Sequence, residues 1–200
     1  MSDMLQKKLE KIFSESLEIR KSFMEHSFDN LIDAAKVCAE ALKNGNQIFT
    51  MGNGGSAADA QHFAAELVGK FYKLERKALP ATALTTNTST LTALSNDYSY
   101  DVVFSRQLEA FVRPGDVVVG LSTSGNADSV LRGFRTAIDG GAKALFLTGE
   151  TGGKIREEVK DLSCIIKVSS KNTGRIQELH ITVIHAICEL IEAELFPDGQ

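Results

Sequence analysis

His62 and Glu66 stand four residues apart in Ala57-Ala58-Asp59-Ala60-Gln61-His62-Phe63-Ala64-Ala65-Glu66, and a helix puts such positions on one face. An imidazole beside a carboxylate binds a metal, works as acid and base, or forms a solvated ion pair. The neighbours Phe63, Ala64, Ala65, Leu67 and Val68 imply a mostly buried helix, where a bland ion pair is costly. A second set, Gln177, Glu178, His180 and His185, lies among Ile176, Leu179, Val183, Ile184, Ile187 and Leu190. At 3.6 residues per turn Gln177 and His185 are about 80° apart and can face one cavity. Periodicity does not choose between His180 and His185, and a histidine on so apolar a helix is more often a satisfied core residue.

Two further stretches suit a phosphate. Phe49-Thr50-Met51 leads into Gly52-Asn53-Gly54-Gly55-Ser56, which reads as a buried strand, a glycine turn and the start of the helix carrying His62 and Glu66. Glycines bring backbone N–H groups close to a ligand. Ser56 is the expected N-cap, and the helix start behind it favours an anion. The nearly continuous apolar run Val117-Val118-Val119-Gly120-Leu121 leads into Ser122-Thr123-Ser124-Gly125-Asn126, three hydroxyls and free N–H groups at another helix start. One hydroxyl-rich loop often only caps its helix; two in one parallel sheet point to phosphate, because ligands bind beyond the carboxyl ends of the strands. A dinucleotide fits less well, since Gly52-x-Gly54 lacks the third glycine of that fingerprint and no clear ribose acid ends the next strand.

The elements that must hold these residues alternate. Helical periodicity without Pro or Gly runs from Leu5 to about Lys43, with a joint at Ser27-Phe28-Asp29-Asn30 where Asp29 or Asn30 caps a second helix, and Asn44-Gly45 ends it. Strands are predicted at Leu79–Leu84, Val117–Leu121, Lys143–Thr148 and Cys164–Val168 besides the one before Gly52. Helices are predicted from Leu91 to Asn96, Val102 to Val112, Ala127 to Asp139, Ile155 to Val159 and Gln177 to Leu195. Strands alternating with helices through short loops imply a three-layer α/β/α sandwich on a parallel doubly wound sheet. No linker, repeat or low-complexity tract divides the 200 residues, so one domain suffices. The stripe Met4, Leu5, Leu9 and Phe13 on the N-terminal helix needs burial, either on its own core or against another subunit.

The bulk properties narrow the function classes. A formal net charge of −4 argues against a generic nucleic-acid surface, and residues 1–45 lack a basic cluster beside a tight helix turn. No apolar run approaches the length of a membrane helix, and the N-terminus lacks the layout of a signal peptide. Three scattered cysteines, Cys38, Cys164 and Cys188, fit a reducing cytoplasm better than a disulfide framework.

The sequence from Gly52 to Leu67 closely resembles the sugar-isomerase (SIS) domain of bacterial phosphoheptose isomerases. So do Leu121-Ser122-Thr123-Ser124-Gly125-Asn126, Ser95-Asn96-Asp97 and Arg175-Ile176-Gln177-Glu178-Leu179-His180. The resemblance covers nearly the whole chain, so residues 1–200 read as a single SIS domain with 1–45 as a helical oligomerisation arm. It implies conversion of sedoheptulose 7-phosphate to D-glycero-D-manno-heptose 7-phosphate, for lipopolysaccharide or capsule, by a cytoplasmic homotetramer with active sites between subunits and with neither nucleic acid nor membrane as partner. It further implies Glu66 as base and His185 as acid, with zinc held by His62, Glu66, Gln177 and His185. Substrate contacts would come from Asn53, Gly54, Gly55, Ser56, Glu66, Asn96, Asp97, Ser122, Thr123, Ser124 and Gln177. Two positions depart from the pattern. Ala127 stands where many relatives carry a phosphate-contacting serine, leaving one bond missing or supplied by Ser129. Gly174 stands where some place an aspartate that touches substrate.

The residue types suit the implied chemistry. Moving a carbonyl between C1 and C2 needs a base for the proton α to it and an acid for the enediolate oxygen, and zinc polarises a carbonyl. A glutamate fully committed to zinc is a poor base, so either Glu66 coordinates through one oxygen or the metal is partly structural. A different class also resembles this chain: non-catalytic SIS adaptors of the replication initiator, down to a tail like Leu195-Phe196-Pro197. Those adaptors lack the acidic residue and the terminal-helix histidine that stand here as Glu66 and His185.

Overall fold

The computed structural model describes residues 2–197. Two helices, α1 (Ser2–His26) and α2 (Phe28–Lys43), precede β1 (Ile48–Gly52) and α3 (Gly55–Val68). The short β2 (Ala81–Ala83) leads to α4 (Thr88–Asp97), a 3₁₀ turn (Tyr100–Val102) and α5 (Ser105–Phe111). The chain continues through β3 (Val117–Ser122), α6 (Asp128–Asp139), β4 (Lys143–Thr148), α7 (Gly153–Glu158), β5 (Cys164–Lys167) and α8 (Thr173–Leu195).

All pairings are parallel, in the order β2-β1-β3-β4-β5. The Val-rich strand β3 is central, as its unbroken apolar run predicts. Alternate residues of β3 point to opposite faces. Val117, Val119 and Leu121 join Ala35, Cys38, Phe63, Leu67 and Ile184 in a core under α2, α3 and α8. Val118 joins Phe49, Phe104, Phe134 and Phe146 in a second core under α5 and α6. The sheet is thus covered on both faces, the three-layer α/β/α architecture expected from the alternation.

Several local expectations are corrected. Neither Asp29 nor Asn30 caps α2. The helix starts at Phe28, with Ser27 at the cap position and no side-chain cap bond, and the Asn30 amide donates instead to the Ile165 carbonyl at 3.4 Å. Helix α4 spans ten residues because the Asn87 side chain accepts from Thr90 N–H at 3.0 Å and starts it before Leu91. The helix expected over Val102–Val112 is broken into a 3₁₀ turn and α5. Helix α8 begins one turn earlier than Gln177, since Asn172 caps it by accepting from the N–H groups of Gly174 and Arg175. Among the described residues the three cysteines are free and buried. Burial pushes the Cys38 thiol up to about 12, with Cys164 adding to the rise.

Candidate active site

Strands β1 and β3 are neighbours in the sheet, and the chain leaves them toward opposite ends of the strand order. That is the switch point of a doubly wound sheet, where loops diverge and leave a crevice. The Gly52–Ser56 turn follows β1 and the Ser122–Asn126 loop follows β3, so both open into it. A cavity of about 320 Å³ is lined there by Asn53, Gly54, Gly55 and Ser56 from the first turn, by Ser122, Thr123 and Ser124 from the second, and by Gln177 from α8. Leu121, Ala127 and Thr173 complete the wall.

The first turn differs from expectation in one respect. Ser56 does not cap α3. The helix begins at Gly55 with Gly54 in the cap position, at φ +56°, a backbone region that favours glycine. Ser56 lies inside the first turn, its N–H bonded to the Asn53 carbonyl at 3.0 Å and its side chain buried against the cavity. No side chain caps the end of α3, which leaves its dipole facing the cavity. In the second loop, Ser122 Oγ accepts from Gly125 N–H and Ser124 Oγ from Asn126 N–H, each at 3.2 Å. Both hydroxyls keep their protons to donate outward. The cavity wall carries hydroxyls and amides and no lysine or arginine.

Helices α3 and α8 both start at this cavity and pack against each other. Further along them, His62 Nε2 is 2.9 Å from Glu66 Oε1 and 3.1 Å from His185 Nε2. One ligand atom from each of the three lies within 4.8 Å of the others. The Gln177 carboxamide sits against Gly55, where a Cβ would lie 2.5 Å from its Nε2. Gln177 and His185 are thus two turns apart on α8, about 12 Å along the axis at 1.5 Å per residue.

The donor set fits a divalent metal. His62 Nε2 faces a carboxylate oxygen and a second imidazole nitrogen at once, and a single N–H satisfies only one of them. Two imidazoles and a carboxylate converging on one point, half-exposed, match an open three-ligand zinc site. Glu66 meets His62 through Oε1, and its other oxygen has no hydrogen-bond partner among the described residues.

His180, which periodicity did not separate from His185, belongs to the core. It is fully buried, with Nε2 3.3 Å from the Thr148 carbonyl. Burial pulls its imidazole down to about 4, partly opposed by that bond. Asn96 and Asp97 lie at the exposed end of α4, bonded to each other at 2.8 Å, and neither lines the cavity.

A family model described as SIS domain matches residues 12–149. A phosphoheptose isomerase from Aquifex aeolicus is 52% identical over 92% of this chain and 95% of its own length. The chain belongs to the SIS-domain family, among the phosphoheptose isomerases. Two solved structures agree. A phosphoheptose isomerase from Neisseria gonorrhoeae superimposes with a TM-score of 0.88 at 43% identity, covering 94% of this chain and 99% of that one. One from Francisella tularensis gives 0.89 at 31% identity, covering 93% and 97%.

Within this SIS domain Ser129 does not replace the serine missing at Ala127. It is buried, and its Oγ accepts from Asn53 Nδ2 at 2.9 Å, while Ala127 itself lines the cavity. Gly174 lies in the first turn of α8, its N–H spent on Asn172. Four residues escaped sequence reasoning. Tyr100 donates its hydroxyl to Asn53 Oδ1 at 2.9 Å and fixes the glycine turn from outside. Phe71 packs on His185, with ring centroids 5.4 Å apart. Arg76 and Glu192 form an ion pair behind them. None sits at a readable spacing from the motifs; only the sheet order and helix packing bring them in.

Proposed function

We propose that Glu66 and His185 are the base and the acid of an aldose–ketose isomerisation, acting on sedoheptulose 7-phosphate to give D-glycero-D-manno-heptose 7-phosphate. The chain is an isomerase by its kinship with the phosphoheptose isomerases, and heptose biosynthesis is the route it serves. The observation that carries the residue assignment is the convergence of His62, Glu66 and His185 on the two helices, α3 and α8, whose starts line the hydroxyl-rich cavity.

The phosphate is held by the Ser122–Ser124 hydroxyls and the uncapped start of α3, with Ser56 beneath it. Asn53, Gly54 and Gly55 lie along the sugar. With the phosphate anchored, the C1–C2 end reaches Glu66 and His185. Glu66 takes a proton from C1 through its uncommitted oxygen, and the electron pair moves through C2 onto O2. His185 gives O2 a proton, forming the enediol. His185 then takes the proton from O1, the carbonyl re-forms at C1, and the proton on Glu66 returns to C2, so both groups regain their starting protonation. Nothing is oxidised or reduced overall. His62, Glu66 Oε1 and His185 would hold a zinc ion, which when bound supplies positive charge for the developing oxyanion; Gln177, whose carboxamide sits against Gly55, would join them only by swinging along α8. That arrangement leaves Glu66 one oxygen for each duty, and leaves His185 its Nδ1 for the proton, since Nε2 is the nitrogen that faces His62.

The oligomer belongs to the same reading: a homotetramer with sites between subunits, supported by the unpartnered apolar stripe of α1. The compartment is the cytoplasm, a view that rests on the three free thiols, and the product heptose goes to lipopolysaccharide or capsule. Among the described residues no helix is long and apolar enough to cross a membrane.

The test is incubation of the purified protein with sedoheptulose 7-phosphate, following the aldose product. Turnover by the wild type is expected, with a loss of at least about 100-fold in Glu66→Gln and in His185→Gln and no change in their assembly. Wild-type turnover in either variant would sink the acid–base assignment.

A further inference from the structure

Glu192 lies seven residues after His185 on α8, on the same face. Its carboxylate is 2% exposed and is fully engaged by a segment that belongs to neither helix. Oε1 accepts from Phe71 N–H at 3.0 Å and from Arg76 Nε at 2.5 Å. Oε2 accepts from Tyr72 and Lys73 N–H at 2.9 and 3.1 Å. Burial works to raise its pKa, and the Arg76 bond with the three amides more than offsets that, so the group stays ionised. Arg76 reaches the other way. Its Nη2 donates to the Glu66 carbonyl at 2.7 Å and its Nη1 to the Leu67 carbonyl at 2.9 Å, the last-turn carbonyls of α3 that no helical N–H serves. The pair therefore ties the end of the helix carrying Glu66 to the helix carrying His185.

Between these anchors the backbone at residues 71–73 has little freedom, and one side chain is aimed at the site. The Phe71 ring lies 5.4 Å from the His185 ring at an interplanar angle of 35°. The His62 ring lies 4.9 Å from His185. His185 is thus bracketed by a candidate metal ligand and a phenyl ring that carries no proton chemistry of its own.

We infer that Phe71, clamped by the Arg76–Glu192 pair, is a positioning residue that holds the His185 imidazole in the rotamer from which it serves the substrate oxygen. The inference rests on the reading of His185 as the acid. A half-exposed histidine on a helix has alternative staggered rotamers, and aromatic packing selects among them. Misplacing a catalytic group slows the chemical step more than it weakens binding. The phosphate cradle lies two turns away, so substrate affinity is left alone.

The experiment compares Phe71→Leu, which keeps bulk and loses the ring, with Phe71→Tyr, which keeps the ring. Steady-state kinetics on sedoheptulose 7-phosphate are read beside ¹H–¹³C spectra of histidine-labelled protein. With only four histidines in the chain, the His185 signal is the one missing from the His185→Gln spectrum. Phe71→Leu is expected to lower kcat about tenfold with KM within about twofold, and to shift the His185 ring signal as the phenyl ring current is lost. Phe71→Tyr is expected to restore both. Wild-type kcat with an unmoved His185 signal in Phe71→Leu would overturn the inference, as would a rise in KM alone. Full turnover by His185→Gln would overturn the functional reading beneath it, and the spectra tell that failure apart because they report the ring contact whatever the activity.

Discussion

At Gly55 one methyl group would change what the cavity holds. A Cβ there would meet the Gln177 carboxamide at 2.5 Å, the far end of a flexible side chain, and Gly55 is not among the glycines at positive φ. The backbone therefore tolerates alanine while Gln177 has to swing away. Gly55→Ala is expected to melt within a few degrees of the wild type and to lose at least about tenfold in kcat/KM. Thermal unfolding and steady-state kinetics check the pair, and an unchanged kcat/KM would mean that the Gln177 position is irrelevant to turnover. At this scale the sequence was most legible where chemistry is local. The glycine turn, the hydroxyl loop and the i, i+4 pair His62 and Glu66 all read directly from spacing. The choice between His180 and His185 did not, because it depends on which ring meets Thr148 of β4 and which meets His62 of α3. Those contacts join parts of the chain that periodicity cannot relate.

Helix α8 is one element with two environments along it. Its apolar face buries Ile176, Leu179, Val183, Ile184 and Ile187, and His180 sits among them with Nδ1 lacking any partner. A buried imidazole that titrates near 4 against about 6.5 in the unfolded chain is neutral in the folded protein. The unfolded state binds the extra proton between those values, so stability is full above about pH 6.5 and is lost as the pH falls toward 4. This group alone is expected to cost about 3 kcal/mol at pH 4 relative to pH 7. Denaturant titrations of the wild type and His180→Gln check it. The glutamine keeps a donor for the Thr148 carbonyl and removes the titration, so the difference in stability between the two proteins is expected to narrow as the pH falls. A constant difference from pH 7 to 4 would show that His180 does not carry that loss. Helix boundaries were legible only in part for a related reason. The caps of α4 and α8 are asparagines, Asn87 and Asn172, whose role depends on turn geometry, and the proline-free stretch before Val112 gave no sign of the 3₁₀ turn.

For the whole molecule, alternation of strands and helices was enough to give the three-layer sandwich, while the strand order was not readable. The order decides function, because only the adjacency of β1 and β3 brings the two phosphate loops together. One apolar surface has no partner among the described residues of the chain. Helix α1 is tied down along its second half, where Ile19 and Phe23 pack on the core and Arg20 donates to Thr182 at 2.9 Å. Before those contacts, Met4, Leu5, Leu9, Phe13 and Leu17 are each more than half exposed. A large apolar side chain gains about 1.5–3 kcal/mol on burial, and a row of them down one face is the pattern of a self-complementary interface. On the proposed homotetramer of 21.7 kDa chains, the double variant Leu9→Glu, Phe13→Glu is therefore expected to reduce the assembly to smaller species in sedimentation velocity. It leaves the α/β core intact because neither side chain enters it. Under the same proposal, which shares the sites between subunits, turnover is expected to fall as the assembly dissociates. A double variant that stays tetrameric would place the interface elsewhere, and one that dissociates with full activity would show that each chain builds its site alone.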